Sequence, residues 1–154
     1  MSNIKMKKRE IVNFVKAVEN VPEGVQFDAD AAILLIKNKN ALKTEYEALQ
    51  LQNRPVPGFL DYQYAVQKLQ AKTNADQVPE QLKQLALKYE KGIDEEIKRR
   101  EEFEAQLDKE VEIDLQLINA KKFSGNGKDL LNFLSAIQPV LEFDKSEAET
   151  EKAK

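Results

Sequence analysis

The chain has 154 residues, enough for one domain with a modest core, since 42% are hydrophobic and 33% charged. Acids and bases are mixed to a net charge of −3, and the basic clusters at 5–9 and 98–100 are short, which disfavours nucleic acid as a partner. With neither Cys nor His, disulfides, thiolate and imidazole catalysis and most zinc, haem and iron–sulfur sites are excluded.

Any metal site would need all-oxygen ligands, for Mg²⁺ or Ca²⁺. The longest apolar run, 29–36, is broken by Asp30 and is too short to cross a bilayer. The basic N-terminus has no apolar signal core behind it, so the expected setting is cytoplasmic, with no membrane partner.

Residues 4–7 are expected to be extended. Ile11, Phe14, Val15 and Val18 follow the i, i+3, i+4, i+7 pattern of a helix over 8–20, which Pro22 and Gly24 stop. Val25 and Phe27 flank Gln26 in a short extended piece, and Asp28 offers an N-cap to a helix over 29–52. The first half of that helix is apolar nearly all round, through Ala31, Ala32, Ile33, Leu34, Leu35 and Ile36. Its second half carries a stripe of Leu42, Tyr46 and Leu49. Pro55, Pro57 and Gly58 break the chain, and Tyr62, Ala65, Val66 and Leu69 share a face of a helix over 59–72.

After a polar turn at 73–78, the spacing predicts one long helix over 79–109, about 45 Å at 1.5 Å per residue. Pro79 opens it, and Leu82, Leu85, Ala86, Tyr89, Ile93, Ile97, Phe103 and Leu107 line one face. The period then drops to two at Val111, Ile113, Leu115 and Leu117, a strand over 111–118. Its natural partner is the extended piece at 4–7, because a lone strand is not stable. Ser124, Gly125, Asn126 and Gly127 read as a flexible turn. Leu130, Leu131, Leu134, Ile137 and Leu141 mark a last helix over 128–141, kinked or shortened by Pro139. Residues 142–154 have little to bury and read as a disordered, acidic-leaning tail.

The expected fold is mostly α. A single domain, 1–141, carries an antiparallel long-helix hairpin, a coiled-coil arm at 29–109 with its tip at 53–78. The arm stands on a small base with a minor two-stranded β element. A helical pair this thin buries little apolar surface alone, which predicts a homo-oligomer.

Three stretches invite chemistry. The segment 121–129 joins a strand to a helix, where phosphate loops sit. A P-loop, however, needs Gly where Lys122 stands and Ser or Thr where Asp129 stands, so a flexible turn is the plainer reading. In a weaker form, Lys121, Lys122, Lys128 and Arg99 hold a small anionic ligand. Glu95, Glu96, Glu101, Glu102, Glu104, Asp108, Glu110, Glu112 and Asp114 form an acidic zone, interleaved with Lys98, Arg99, Arg100 and Lys109. Glu95–Arg99 and Glu96–Arg100 have the favourable i, i+4 order, which reads as a solvated face of ion pairs rather than a metal site. Arg54, Phe59, Tyr62 and Tyr64 gather at the tip, either as its small core or as a partner-binding surface. Gly92, mid-helix, costs about 1 kcal/mol relative to Ala. It is either tolerated or permits a close helix approach.

One resemblance emerges from the whole layout. It lies in the basic start, Ile11-Val12-Asn13-Phe14, Lys37-Asn38-Lys39 with Leu42 and Glu45, a variable tip, then Glu102-Phe103, Leu107, Glu110-Val111-Glu112-Ile113 and a leucine-rich close. Over about 8–141 the chain resembles small helical proteins encoded by tailed bacteriophages and prophages. The resemblance implies a host-cytoplasm setting and a role in phage biology and carries no catalytic residue over; no cofactor is expected. The expected function is non-enzymatic: a protein-interaction module, an assembly factor or an inhibitor of a host protein. The alternatives are an oligomer that sequesters a small anion such as a nucleotide, and a nucleic-acid binder using the basic N-terminus.

Overall fold

Helix-forming runs dominate the chain. The computed structural model describes residues 2–72 and 76–143, and over them the order is β1 (Ser2–Lys7), α1 (Lys8–Glu19), β2 (Val25–Phe27), α2 (Ala29–Gln52), α3 (Pro57–Lys72), α4 (Val78–Lys88), α5 (Glu90–Leu107), β3 (Glu110–Leu115), β4 (Ile118–Asn119), β5 (Phe123–Gly125), α6 (Gly127–Ile137) and β6 (Leu141–Glu142). The protein is mostly helical, with three small two-stranded sheets among the described residues. It divides into two compact units, Met1–Leu49 with Leu107–Lys154, and Gln50–Gln106. From residue 144 onward the expected tail lies outside the described residues.

The first unit is built on β1 and β3, which pair antiparallel as their alternation requires. Ile4 faces Ile113 and Met6 faces Val111 on the inner side, while Lys5 faces Glu112 outside, with Nζ 3.8 Å from the carboxylate. The strand expected over 111–118 stops at Leu115. Leu117 is exposed and Ile118 is buried, so the inward-facing side changes parity at Gln116. The reason is the end of the ladder: Ser2 faces Leu115, so Gln116 lies one residue past the last pair. A side chain takes over there. Asn38 of α2, fully buried, accepts from the Gln116 N–H at 2.7 Å and donates to its carbonyl at 2.8 Å, as a neighbouring strand would.

α1 begins where the Lys7 N–H donates to the Glu10 carboxylate at 2.9 Å. It buries Ile11, Phe14 and Val15. Asp28 caps α2 as expected, accepting from the Ala31 N–H at 2.8 Å. The greasy base of α2 is one-sided, however: Ala31, Leu35 and Leu42 are buried, while Ile33 and Ile36 are about half exposed.

The stretch read as a flexible turn is ordered. A 3₁₀ turn at Ala120–Lys122 leads into β5, which pairs antiparallel with β2, and Asn126 caps α6 by accepting from the Asp129 N–H at 3.2 Å. Gly125 sits at φ 151°, and a Cβ there would lie 1.9 Å from the Gly24 carbonyl oxygen, so only glycine fits. Helix α6 stops at Ile137, shorter than the expected 128–141. Pro139 falls in a 3₁₀ turn, Gln138–Val140, and β6 then runs parallel to β4. The expected apolar side of α6 holds at Ile137, which is buried, and at Leu130 and Leu134, which pack half-buried against the core, but Leu131 is exposed and Phe133 takes its place. Phe133 packs with Phe27 and Phe123, ring centroids 5.7–6.3 Å from it.

The second unit holds α3, α4 and most of α5. Tyr62, Ala65, Val66 and Leu69 are half-buried along one face of α3, which starts at Pro57. The single helix expected over 79–109 is interrupted once. Tyr89 leaves helical geometry at φ −104°, ψ 20°, although its N–H still donates to Leu85 and its carbonyl still accepts from Ile93. Two features accompany the break: the Tyr89 ring packs on Tyr62, and Gly92, a weak helix former, follows three residues on. Gly92 serves a close approach: a Cβ there would stand 2.6 Å from the Gly58 carbonyl carbon.

Candidate interaction surface

The second unit is organised round a carboxylate. Glu96 on α5 is 1% exposed and is held by Arg99, whose Nε and Nη2 both donate to it, the latter at 3.3 Å. Arg100 Nε lies 3.5 Å from Oε2, the oxygen that Arg99 Nη2 also approaches, and the Val56 N–H also donates. The Arg99 guanidinium holds the carboxyl below its ordinary value against the opposing effect of burial. Arg99 then reaches the end of α2, donating through Nη1 to the Gln52 carbonyl at 3.1 Å and to Asn53 Oδ1 at 3.4 Å. The expected Glu96–Arg100 pair is present, whereas Arg99 turns to Glu96 rather than Glu95, and the carboxylate they share is buried instead of solvated.

The tip aromatics divide. Phe59 and Tyr62 lie 5.9 Å apart, Tyr62 and Tyr89 6.1 Å apart, and the Arg100 guanidinium stands 5.1 Å over the Phe59 ring. Phe59 and Tyr62 are therefore engaged in packing. Tyr64 is 61% exposed, with Lys68 Nζ 4.7 Å over its ring, and Arg54 is exposed. Leu51, Leu60, Leu87 and Ile97 are also exposed in this unit.

Between α3 and α4 runs a shallow groove of about 560 Å³, open to solvent. Ala65, Leu69 and Leu85 form its apolar lining, Gln81 and Gln84 add amides, and Lys68, Lys72 and Lys88 stand round it. Sequence reasoning missed this site. Lys68 and Lys72 stand four apart on one side of α3, but nothing in that spacing points to Lys88 of α4.

The predicted anion ligands are divided between the two units. Lys121 and Lys122 lie in the 3₁₀ turn and Lys128 in the first turn of α6, all exposed, whereas Arg99 belongs to the other unit and is engaged by Glu96. Lys122 Nζ is 3.1 Å from Asp28. That carboxyl is held below its ordinary value first by the Ala31 N–H and then by Lys122. The Asn126 side chain already occupies the α6 N-terminus. Among the described residues no cluster of three or more acidic side chains is placed to hold a metal ion, and no helix is long and apolar enough to cross a membrane. Comparison with known protein families, curated proteins and solved structures finds no match to this chain.

Proposed function

We propose that the chain is a non-enzymatic protein-interaction module of the tailed-phage kind, an assembly factor or an inhibitor of a host protein in the host cytoplasm. It acts as a homo-oligomer through residues 29–109, an antiparallel helical arm whose contact surface lies in the Gln50–Gln106 unit. One observation supports this above others. Among the described residues of that unit no apolar side chain is fully buried, yet Leu51, Leu60, Tyr64, Leu87 and Ile97 are each about half exposed or more. A segment that displays its apolar side chains is poorly served by staying alone. Tyr64 is the natural anchor, being aromatic, exposed and already steadied by Lys68.

The test is a native pull-down with tagged protein from infected and uninfected host cells, run beside Tyr64→Ala. Recovery of one protein at near-stoichiometric yield by the wild type, lost with Tyr64→Ala while the circular dichroism is unchanged, is the expected result. Equal recovery by both, or recovery of the chain alone, counts against the reading. Light scattering gives the oligomeric mass in the same preparation, and a monomer counts against the oligomer.

A further inference from the structure

The α3–α4 groove narrows the partner's chemistry. Its floor is apolar and its charged lining residues are all lysines, Lys68, Lys72 and Lys88, in a chain whose net charge is −3. Elsewhere many cations are neutralised locally: Lys5 by Glu112, Lys39 by Glu19, Lys43 by Glu47, Lys122 by Asp28, Arg99 and Arg100 by Glu96. Lys68 and Lys88 instead rest on aromatic faces, Tyr64 and Tyr89. Among the described residues no carboxylate pairs with Lys68, Lys72 or Lys88. An apolar trough flanked by unpaired ammonium groups is complementary to a helix with an apolar stripe and carboxylates on either side. The groove is too open to enclose a small molecule on most sides, as small-ligand pockets do, which favours an elongated occupant.

Resting on the interaction reading above, we infer that this groove docks an acidic amphipathic helix of a partner protein. Apolar residues at i, i+3 or i+4 and i+7 fill the space over Ala65, Leu69 and Leu85, and Asp or Glu beside that stripe meet Lys68, Lys72 and Lys88. Gln81 and Gln84 supply amides to polar side chains at the edge.

A display selection tests this. Random peptides of about 15 residues, four turns of helix, are selected on the immobilised full chain. The wild type is expected to enrich peptides with that apolar spacing and carboxylate flanks. The charge-reversed variant K68E/K72E/K88E is expected to retain them about tenfold less and to enrich basic peptides instead. Circular dichroism confirms its fold, and a single Lys72→Glu serves if the triple variant is unstable. Enrichment of neutral or basic peptides by the wild type, equal retention by the charge-reversed variant, or no enrichment overturns the inference. So does a wild-type dimer that charge reversal dissolves, which would place a second copy in the groove. A Tyr64-dependent partner that the charge-reversed variant still captures in the pull-down removes the groove and leaves the interaction module. Groove peptides without any pulled-down partner do the reverse.

Discussion

The two units use opposite means to hold together. In Met1–Leu49 with Leu107–Lys154, Met6, Ile11, Phe14, Leu35, Leu42, Leu115, Ile118, Phe133, Ile137 and Val140 are essentially removed from water, and the polar group buried with them, Asn38, completes a strand edge. Among the described residues of Gln50–Gln106 the fully buried side chain is a carboxylate, Glu96, and backbone meets backbone where Gly58 lies against Gly92. An apolar core tolerates small shifts and loses stability in proportion to the atoms removed. A charged anchor is all-or-none, because removing either partner leaves the other desolvated and unpaired. The second unit should therefore be the weaker one, and breakable at single atoms.

Truncation of the apolar core should have the largest effect. Phe14→Ala is expected to cost about 3–5 kcal/mol, read by thermal melting and by faster hydrogen exchange in β1 and β3. Glu96→Ala should cost about 2–4 kcal/mol, below the full cost of a buried pair because Arg100 is largely exposed and can rehydrate. Its signature is local: exchange rises across 50–60 and 90–103, while the amides of β1 and β3 keep their protection. If both regions loosen equally, the contrast between the units is wrong. Gly92→Ala gains helix propensity but places a Cβ against the Gly58 backbone, so a net loss of about 1–3 kcal/mol is expected. A neutral or stabilised melting temperature would show that α3 can step away from α5.

Asn38→Ala should cost about 1–2 kcal/mol, from the Gln116 N–H and carbonyl left without partners. Asn38→Asp keeps an acceptor for the N–H and loses the donor to the carbonyl, so faster exchange at Gln116 in the alanine variant alone would assign the bond. Acid should give the smallest effect. The carboxyl of Glu96 is held below its ordinary value of 4.5 in the folded chain. Its contribution is therefore complete above that pH and is lost as pH falls through the lower folded value. Glu96→Gln should remove this acid-dependent loosening of the second unit, as followed by exchange between pH 6 and about 3.

Much of the fold was legible where one period governs a run. The i, i+3, i+4 spacing located α1 and the half-buried face of α3, and the two-residue alternation located β3 and its pairing with residues near Ile4 and Met6. The Asp28 cap was visible because its side chain acts three residues away. What escaped depended on distant residues. That the alternation ends at Gln116 follows from Ser2, whose pairing with Leu115 closes the ladder, and from Asn38, 78 positions earlier, which takes over the Gln116 backbone, and nothing near residue 116 announces either. Phe123 and Phe133 join the core by packing on Phe27 and on each other, not because of any local pattern. The break at Tyr89 likewise involves Tyr62. Lysines 68, 72 and 88 are unremarkable on a helical wheel, since α3 and α4 have to be folded side by side before they surround one groove.

The pairing of Ser2 with Leu115 and of Lys7 with Glu110 sets a schedule for the newborn chain. The first strand is synthesised about a hundred residues before its partner exists. At about 5–20 residues per second that is a wait of roughly 5–20 s. Through that interval Ile4 and Met6 have no sheet to enter, while Gln50–Gln106, a compact unit continuous in sequence, can form as soon as it emerges. The alternating lysines 5 and 7, which face outward in the finished sheet, keep this waiting strand charged and discourage it from pairing with another copy on the same messenger.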